Sequence, residues 1–94
     1  MSKLDEARNK IDEIDSKIIE LFEERMTVVK DVINYKIENN IPVLDSNREA
    51  VMLEKNLNKI QNNEYKKYYS SVLQGYLKAS KDMQKDILDN HSKK

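Results

Sequence analysis

The chain has no cysteine and no tryptophan, and only one glycine and one proline among its 94 residues. Without cysteine there are no disulfides, no zinc-thiolate sites and no thiol nucleophile. Gly75 and Pro42 alone are too few for the turns of a sheet fold or for a glycine-rich phosphate loop. Net charge is missing as well, since 17 Lys and Arg balance 17 Asp and Glu. Nucleic-acid binders carry a basic excess and membrane-surface modules a polybasic cluster, so the balance speaks against both. No apolar run approaches the roughly 20 residues that span a bilayer. The opening MSKLDEARNK has no apolar stretch after its charges, so no secretory signal is expected and a cytoplasmic protein is. Hydrophobic residues reach 38% and charged ones 36%, where about 45–50% apolar is usual. One thin domain remains, and it is all-α.

What is there is helical periodicity. Leu4, Ala7, Ile11, Ile14, Ile18, Leu21, Val28, Val32 and Tyr35 recur in steps of three and four, a near-heptad series over residues 4–38. Such a helix is roughly 50 Å long, too long for a compact globule of this size with a radius of gyration near 13 Å. It calls for a partner chain. Glu38-Asn39-Asn40-Ile41-Pro42 breaks it with weak helix formers and a proline. A second helix is expected over residues 45–61, opened by the capping box Ser46-Asn47-Arg48-Glu49 and carrying Ala50, Leu53, Leu57 and Ile60 inward. A third is expected over 64–89, with Tyr69, Leu73, Leu77, Met83 and Ile87 inward, and residues 90–94 as a frayed tail.

Four polar residues stand where this pattern calls for apolar ones. Arg25 shares the heptad position of Leu4, Ile11, Ile18 and Val32. A buried cation is costly unless paired, so it requires an anion; the plain alternative is an arginine that snorkels or pairs with Glu24 or Glu49. Lys36 lies eleven residues on, about three turns and roughly 16 Å along the same face; taken alone it reads as a solvated lysine. Ser80 and Gln84 continue the row of Tyr69, Leu73 and Leu77, where a hydroxyl and an amide need partners. Two polar residues bonding a neighbouring helix would also account for them. Only three of the 17 basic residues are arginines: Arg8, Arg25 and Arg48. A planar, bidentate, permanently charged group suits carboxylates.

In order, the chain carries Arg8-x2-Ile11-x2-Ile14-Asp15, Glu24-Arg25, Lys36, Pro42-Val43-x-Asp45-x2-Arg48-Glu49 and Ser80-x3-Gln84. Over residues 4–88 this resembles the all-helical class of chorismate mutase, an intertwined homodimer of three-helix chains. The resemblance implies that Arg25 and Lys36 bind the carboxylates of chorismate, with Arg8 reaching in from the other subunit. It implies that Lys36 and Gln84 donate hydrogen bonds to the ether oxygen of the breaking bond, so Lys36, Gln84 and Arg25 would be catalytic. Asp45, Arg48 and Glu49 would order the entrance, Glu49 accepting from the ring hydroxyl, and Ser80 would contact a carboxylate. Lys81 departs from the family, in which an apolar neighbour is common after the serine.

The chemistry implied is a pericyclic rearrangement of chorismate to prephenate. It needs no metal, cofactor or nucleophile, only restraint of the substrate and stabilisation of charge. His91, in the tail, has no part in it. Arg8 stands 17 residues before Arg25, about 25 Å along a straight helix, so it cannot reach the same site in cis. An obligate two-fold dimer with composite sites follows if all three cations act together. Two other functions fit parts of the pattern: an isochorismate-pyruvate lyase of the same fold, and a helical dimerisation module without an active site.

Overall fold

The structure is a computed structural model that describes residues 2–43 and 46–92, positions 46 and 92 by their backbone alone. Helix α1 runs Lys3–Glu38. Ser2 starts it: the Ser2 hydroxyl oxygen accepts the Asp5 N–H at 3.1 Å, and Asp5 and Glu6 occupy the first turn, where the helix dipole favours carboxylates. At the other end Asn40 adopts φ 56°. Ile41 N–H then donates to the Lys36 carbonyl at 2.8 Å and Asn40 N–H to that of Ile37 at 3.3 Å. These are the two bonds of a Schellman cap, and asparagine tolerates its left-handed position better than most residues. The break expected before Pro42 is thus a built stop, and it ties down the turn that bears Lys36.

Helix α2 runs Ser46–Leu57, a 3-10 turn covers Asn63–Tyr65, and α3 runs Lys66–Ser92. Helix α2 therefore ends four residues before the expected 61. Past the Asn58 N–H bond to the Glu54 carbonyl, Lys59 and Ile60 bond back only three residues, to Asn56 and Leu57. The ladder tightens and stops among asparagines, which compete locally for backbone groups. Asn62 then opens the 3-10 turn, its side-chain oxygen accepting the Glu64 N–H at 3.0 Å. Helix α3 overruns the expected end at 89 as far as Ser92, because Asp89-Asn90-His91 contains nothing that breaks a helix; of the tail expected to fray, residues 93–94 lie outside the described residues. The expected capping box also falls partly outside them, with the side chain of residue 46. Glu49, its other member, is in an ion pair with Lys81 on α3.

Helix α3 packs against both α1 and α2. Ile33 at 1% exposure and Leu73 at 2% mark the centre of the core. Along α1 the stripe facing it is Phe22, Met26, Val29, Ile33 and Ile37, all withdrawn from solvent. From α2 come Met52, Leu53 and Leu57, while Ala50, expected inward, is exposed. The helical stripe on α2 is therefore rotated slightly toward Met52. The near-heptad series on α1 is a second stripe: Leu4, Ile11, Ile14, Ile18, Leu21, Val28, Val32 and Tyr35 are all exposed. The chain measures 57 × 27 × 15 Å with a radius of gyration of 17.1 Å, where about 12–13 Å would be compact. No helix among the described residues is long and apolar enough to cross a membrane.

Candidate active site

A cavity of about 310 Å³ opens where the second half of α1, the start of α2 and the middle of α3 meet. Its apolar walls include Val29, Val32, Ile33, Val43, Met52 and Leu77. Its polar lining is Arg25 and Lys36 from α1, Arg48 and Glu49 from α2, and Ser80 and Gln84 from α3. Six of the eight residues singled out in the sequence thus meet in one place. Arg8 is exposed on the first turns of α1 and does not line the cavity, and Asp45 lies outside the described residues.

Arg25 is held from α3. One guanidinium N–H donates to the Ser80 hydroxyl oxygen at 2.9 Å, and the guanidinium carbon lies 5.5 Å from the centre of the Tyr76 ring. That ring stacks in turn on Phe22, with centroids 6.2 Å apart and planes at 27°. A cation over an aromatic face is attracted by the ring quadrupole, so Arg25 is oriented by a hydroxyl on one side and a ring on another. Of the alternatives open from sequence, pairing with Glu24 or Glu49 is not what occurs; among the described residues Arg25 has no carboxylate partner. Ser80 is 7% exposed and accepts from Arg25, which leaves its own proton available for a further acceptor.

Gln84 presents a different state. Its side-chain oxygen is buried with no hydrogen-bond partner among the described residues. Leaving a buried acceptor unmade costs about 1–3 kcal/mol, so this oxygen calls for a partner, which a ligand or a water in the cavity would supply. The two ends of an amide are exchanged by a half-turn, so this side chain offers either a donor or an acceptor at the cavity wall. Among the described residues the cavity lining holds three cations, Arg25, Lys36 and Arg48, and one carboxylate, that of Glu49. That carboxylate is already engaged: one oxygen is 3.1 Å from the Lys81 ammonium.

Such a lining suits an anion with more than one negative group, with charged and neutral donors at its wall. Ser80 has no histidine beside it in the cavity to activate it as a nucleophile. Among the described residues no group of three or more His, Cys, Asp or Glu is arranged to hold a metal ion. Tyr76 and Phe22 were not foreseen as site residues. A signal existed: Phe22 is three residues before Arg25 and Tyr76 four before Ser80, the spacing at which helical side chains touch.

Residues 7–85 match the family described as chorismate mutase type II. Over 55 residues the chain is 44% identical to the chorismate mutase of Methanocaldococcus jannaschii, an alignment covering 58% of this chain and 56% of that protein. Over 84 residues it is 36% identical to the bifunctional chorismate mutase/prephenate dehydratase of Buchnera aphidicola subsp. Schizaphis graminum, covering 87% of this chain and 22% of that one. The chain thus spans about half the length of the first relative and about a fifth of the second. No solved structure gives a significant match. With the family pattern running through all three helices and across every residue that lines the cavity, the chain belongs to the chorismate mutase type II family.

Proposed function

We propose that this chain is a cytoplasmic chorismate mutase, rearranging chorismate to prephenate in the cavity between its three helices and working as a homodimer. The observation that carries the reading is the meeting of Arg25 and Lys36 with Ser80 and Gln84 around one cavity, in a chain of zero net charge. A dicarboxylate is the ligand such a site suits, and the curated relatives bear the names of chorismate mutases.

The reaction breaks a carbon–oxygen bond and forms a carbon–carbon bond in one cyclic shift of electrons, with no proton or group passing to the protein. The residues therefore have two tasks. Arg25 and Lys36 clamp the carboxylates and hold the flexible substrate in its reactive fold, removing the entropy of finding it. Lys36 and Gln84 donate to the ether oxygen as negative charge grows there, in a setting arranged beforehand. Lys36 can do both because an ammonium has three donors. Ser80 and Tyr76 keep Arg25 in place, Ser80 turning its own proton toward a carboxylate. Glu49 accepts from the ring hydroxyl, with Arg48 and Asp45 at the entrance.

Arg8 enters from the second chain. About 25 Å of helix separates it from Arg25 in its own chain, whereas an antiparallel two-fold pairing of the long helices brings it beside the partner's site. The exposed stripe from Leu4 to Tyr35 is the surface for that pairing.

Loss of chorismate, followed in purified protein, tests the function. Arg25→Ala and Lys36→Ala are each expected to lower turnover by about 10²–10³-fold or more while circular dichroism stays helical. Near-normal rates in either variant would sink the assigned site. Pyruvate release from isochorismate in place of chorismate loss points to the lyase, and a folded, dimeric sample that turns over neither points to a dimerisation module.

A further inference from the structure

Among the described residues Glu49 is the one carboxylate in a lining that also holds Arg25, Lys36 and Arg48, and a carboxylate there repels the dianion that those cations attract. Its surroundings address that repulsion. One Glu49 oxygen is 3.1 Å from the Lys81 ammonium, Glu49 being 24% exposed and Lys81 51%. Lys81 is not itself among the residues that line the cavity. It follows Ser80 on α3, and successive residues of a helix are turned about 100° from each other. Ser80 thus faces the cavity and holds Arg25, while Lys81 stands at the rim and holds Glu49. One turn of α3 orients a cation of α1 and an anion of α2.

We propose that Lys81 is a positioning residue for substrate binding: from outside the cavity it offsets the charge of Glu49, leaving the second carboxylate oxygen to accept from a hydroxyl of a bound dicarboxylate. The inference rests on the reading of the cavity as the chorismate site. A half-exposed ion pair contributes little to folding, so the lysine's effect belongs in binding. When a ligand excludes water from the rim, the interactions among Glu49, Lys81 and the ligand strengthen. Without Lys81, binding a dianion then forces two like charges together in a drier setting.

The test is a double-mutant cycle on the full chain, Lys81→Met, Glu49→Gln and both, read by steady-state kinetics and by calorimetric titration with prephenate. Lys81→Met is expected to raise the chorismate KM and the prephenate Kd about fivefold, with a smaller change in kcat. Lys81→Arg is expected to restore most of the loss. In the Glu49→Gln background, with no carboxylate left to offset, Lys81→Met is expected to change neither constant appreciably. An equal effect in both backgrounds means that Lys81 attracts the substrate directly, and overturns the positioning role. So does a Lys81→Met variant with wild-type KM and Kd. If the unaltered chain shows no turnover but the prephenate titrations follow the expected pattern, the mutase reading falls and this inference stands. Neither turnover nor binding overturns both.

Discussion

From Lys3 to Leu21 every residue of α1 is exposed, whereas from Phe22 to Ile37 a row of side chains turns inward against α3. The two halves do not differ in kind of residue. The first carries Leu4, Ile11, Ile14, Ile18, Ile19 and Leu21, as apolar a set as the second can show, and all of it faces solvent in the single chain. A helical segment of this length is marginal in water by its own propensity. Fully burying one such side chain contributes about 1.5–3 kcal/mol, so the first half has much to gain from a second copy of the chain and nothing to gain from its own. The second half is engaged twice: Phe22, Met26, Val29 and Ile33 meet α3, while Val28, Val32 and Tyr35 continue the exposed stripe. Arg25 stands on the border between these two faces. That position lets one cation be oriented from within the chain yet remain beside the seam where another chain would come.

The largest effect is expected from breaking the exposed half. Ile11→Glu combined with Ile18→Glu places charges on the stripe and should convert the proposed dimer to a poorly helical monomer without turnover, seen by sedimentation and circular dichroism. A variant that stays dimeric and fully active would remove the stripe from the interface. Next is complementation between the halves. Arg8→Ala and Arg25→Ala, each inactive alone, should recover activity on mixing, approaching about a quarter of the wild-type sites if subunits exchange at random in a two-fold dimer. No recovery, with exchange demonstrated, would return Arg8 to a surface role.

A smaller effect is expected in the packed half. Ile33→Ala leaves a cavity against α3 and should lower unfolding stability by about 2–5 kcal/mol, read by denaturant titration. A cost below that range would mean that the α1–α3 contact is not the centre of the core. The smallest concerns Gly75, where an added methyl meets nothing within 4 Å in the single chain. Gly75→Ala should stabilise α3 by about 0.5–1 kcal/mol. Destabilisation instead would show that a second chain approaches this backbone closely, extending the interface from α1 to α3.

The helices were legible because periodicity is local: steps of three and four residues announce α1, and Asn39-Asn40-Ile41-Pro42 announces its end. Their limits were legible only in part. Helix α2 stops at Leu57 because its last backbone bonds tighten among asparagines, a competition that an apolar row continuing to Ile60 conceals. Of the candidate site, the polar anomalies Arg25, Ser80 and Gln84 stood out in the sequence, and all three line the cavity. Their partners did not stand out. The heptad placed Arg25 on the face of Leu4 and Val32, and a glutamate was its natural partner there; the structure gives it Ser80 and Tyr76 on α3. Lys81 read as a misfit beside Ser80 until Glu49 was found 3.1 Å from it.

Zero net charge, a single proline and glycine, and an apolar series too long for one globule are properties of the sequence by itself. They determine an all-helical chain with more apolar surface along its first helix than its own length can cover. Periodicity identifies which residues share a face, because it depends only on the helical repeat. It does not identify what lies opposite, because that depends on how three helices cross. Only the tertiary structure decided that α1 packs one stripe against α3 and leaves the other exposed, that three cations and one carboxylate among the described residues gather around one cavity, and that a lysine at its rim holds the carboxylate.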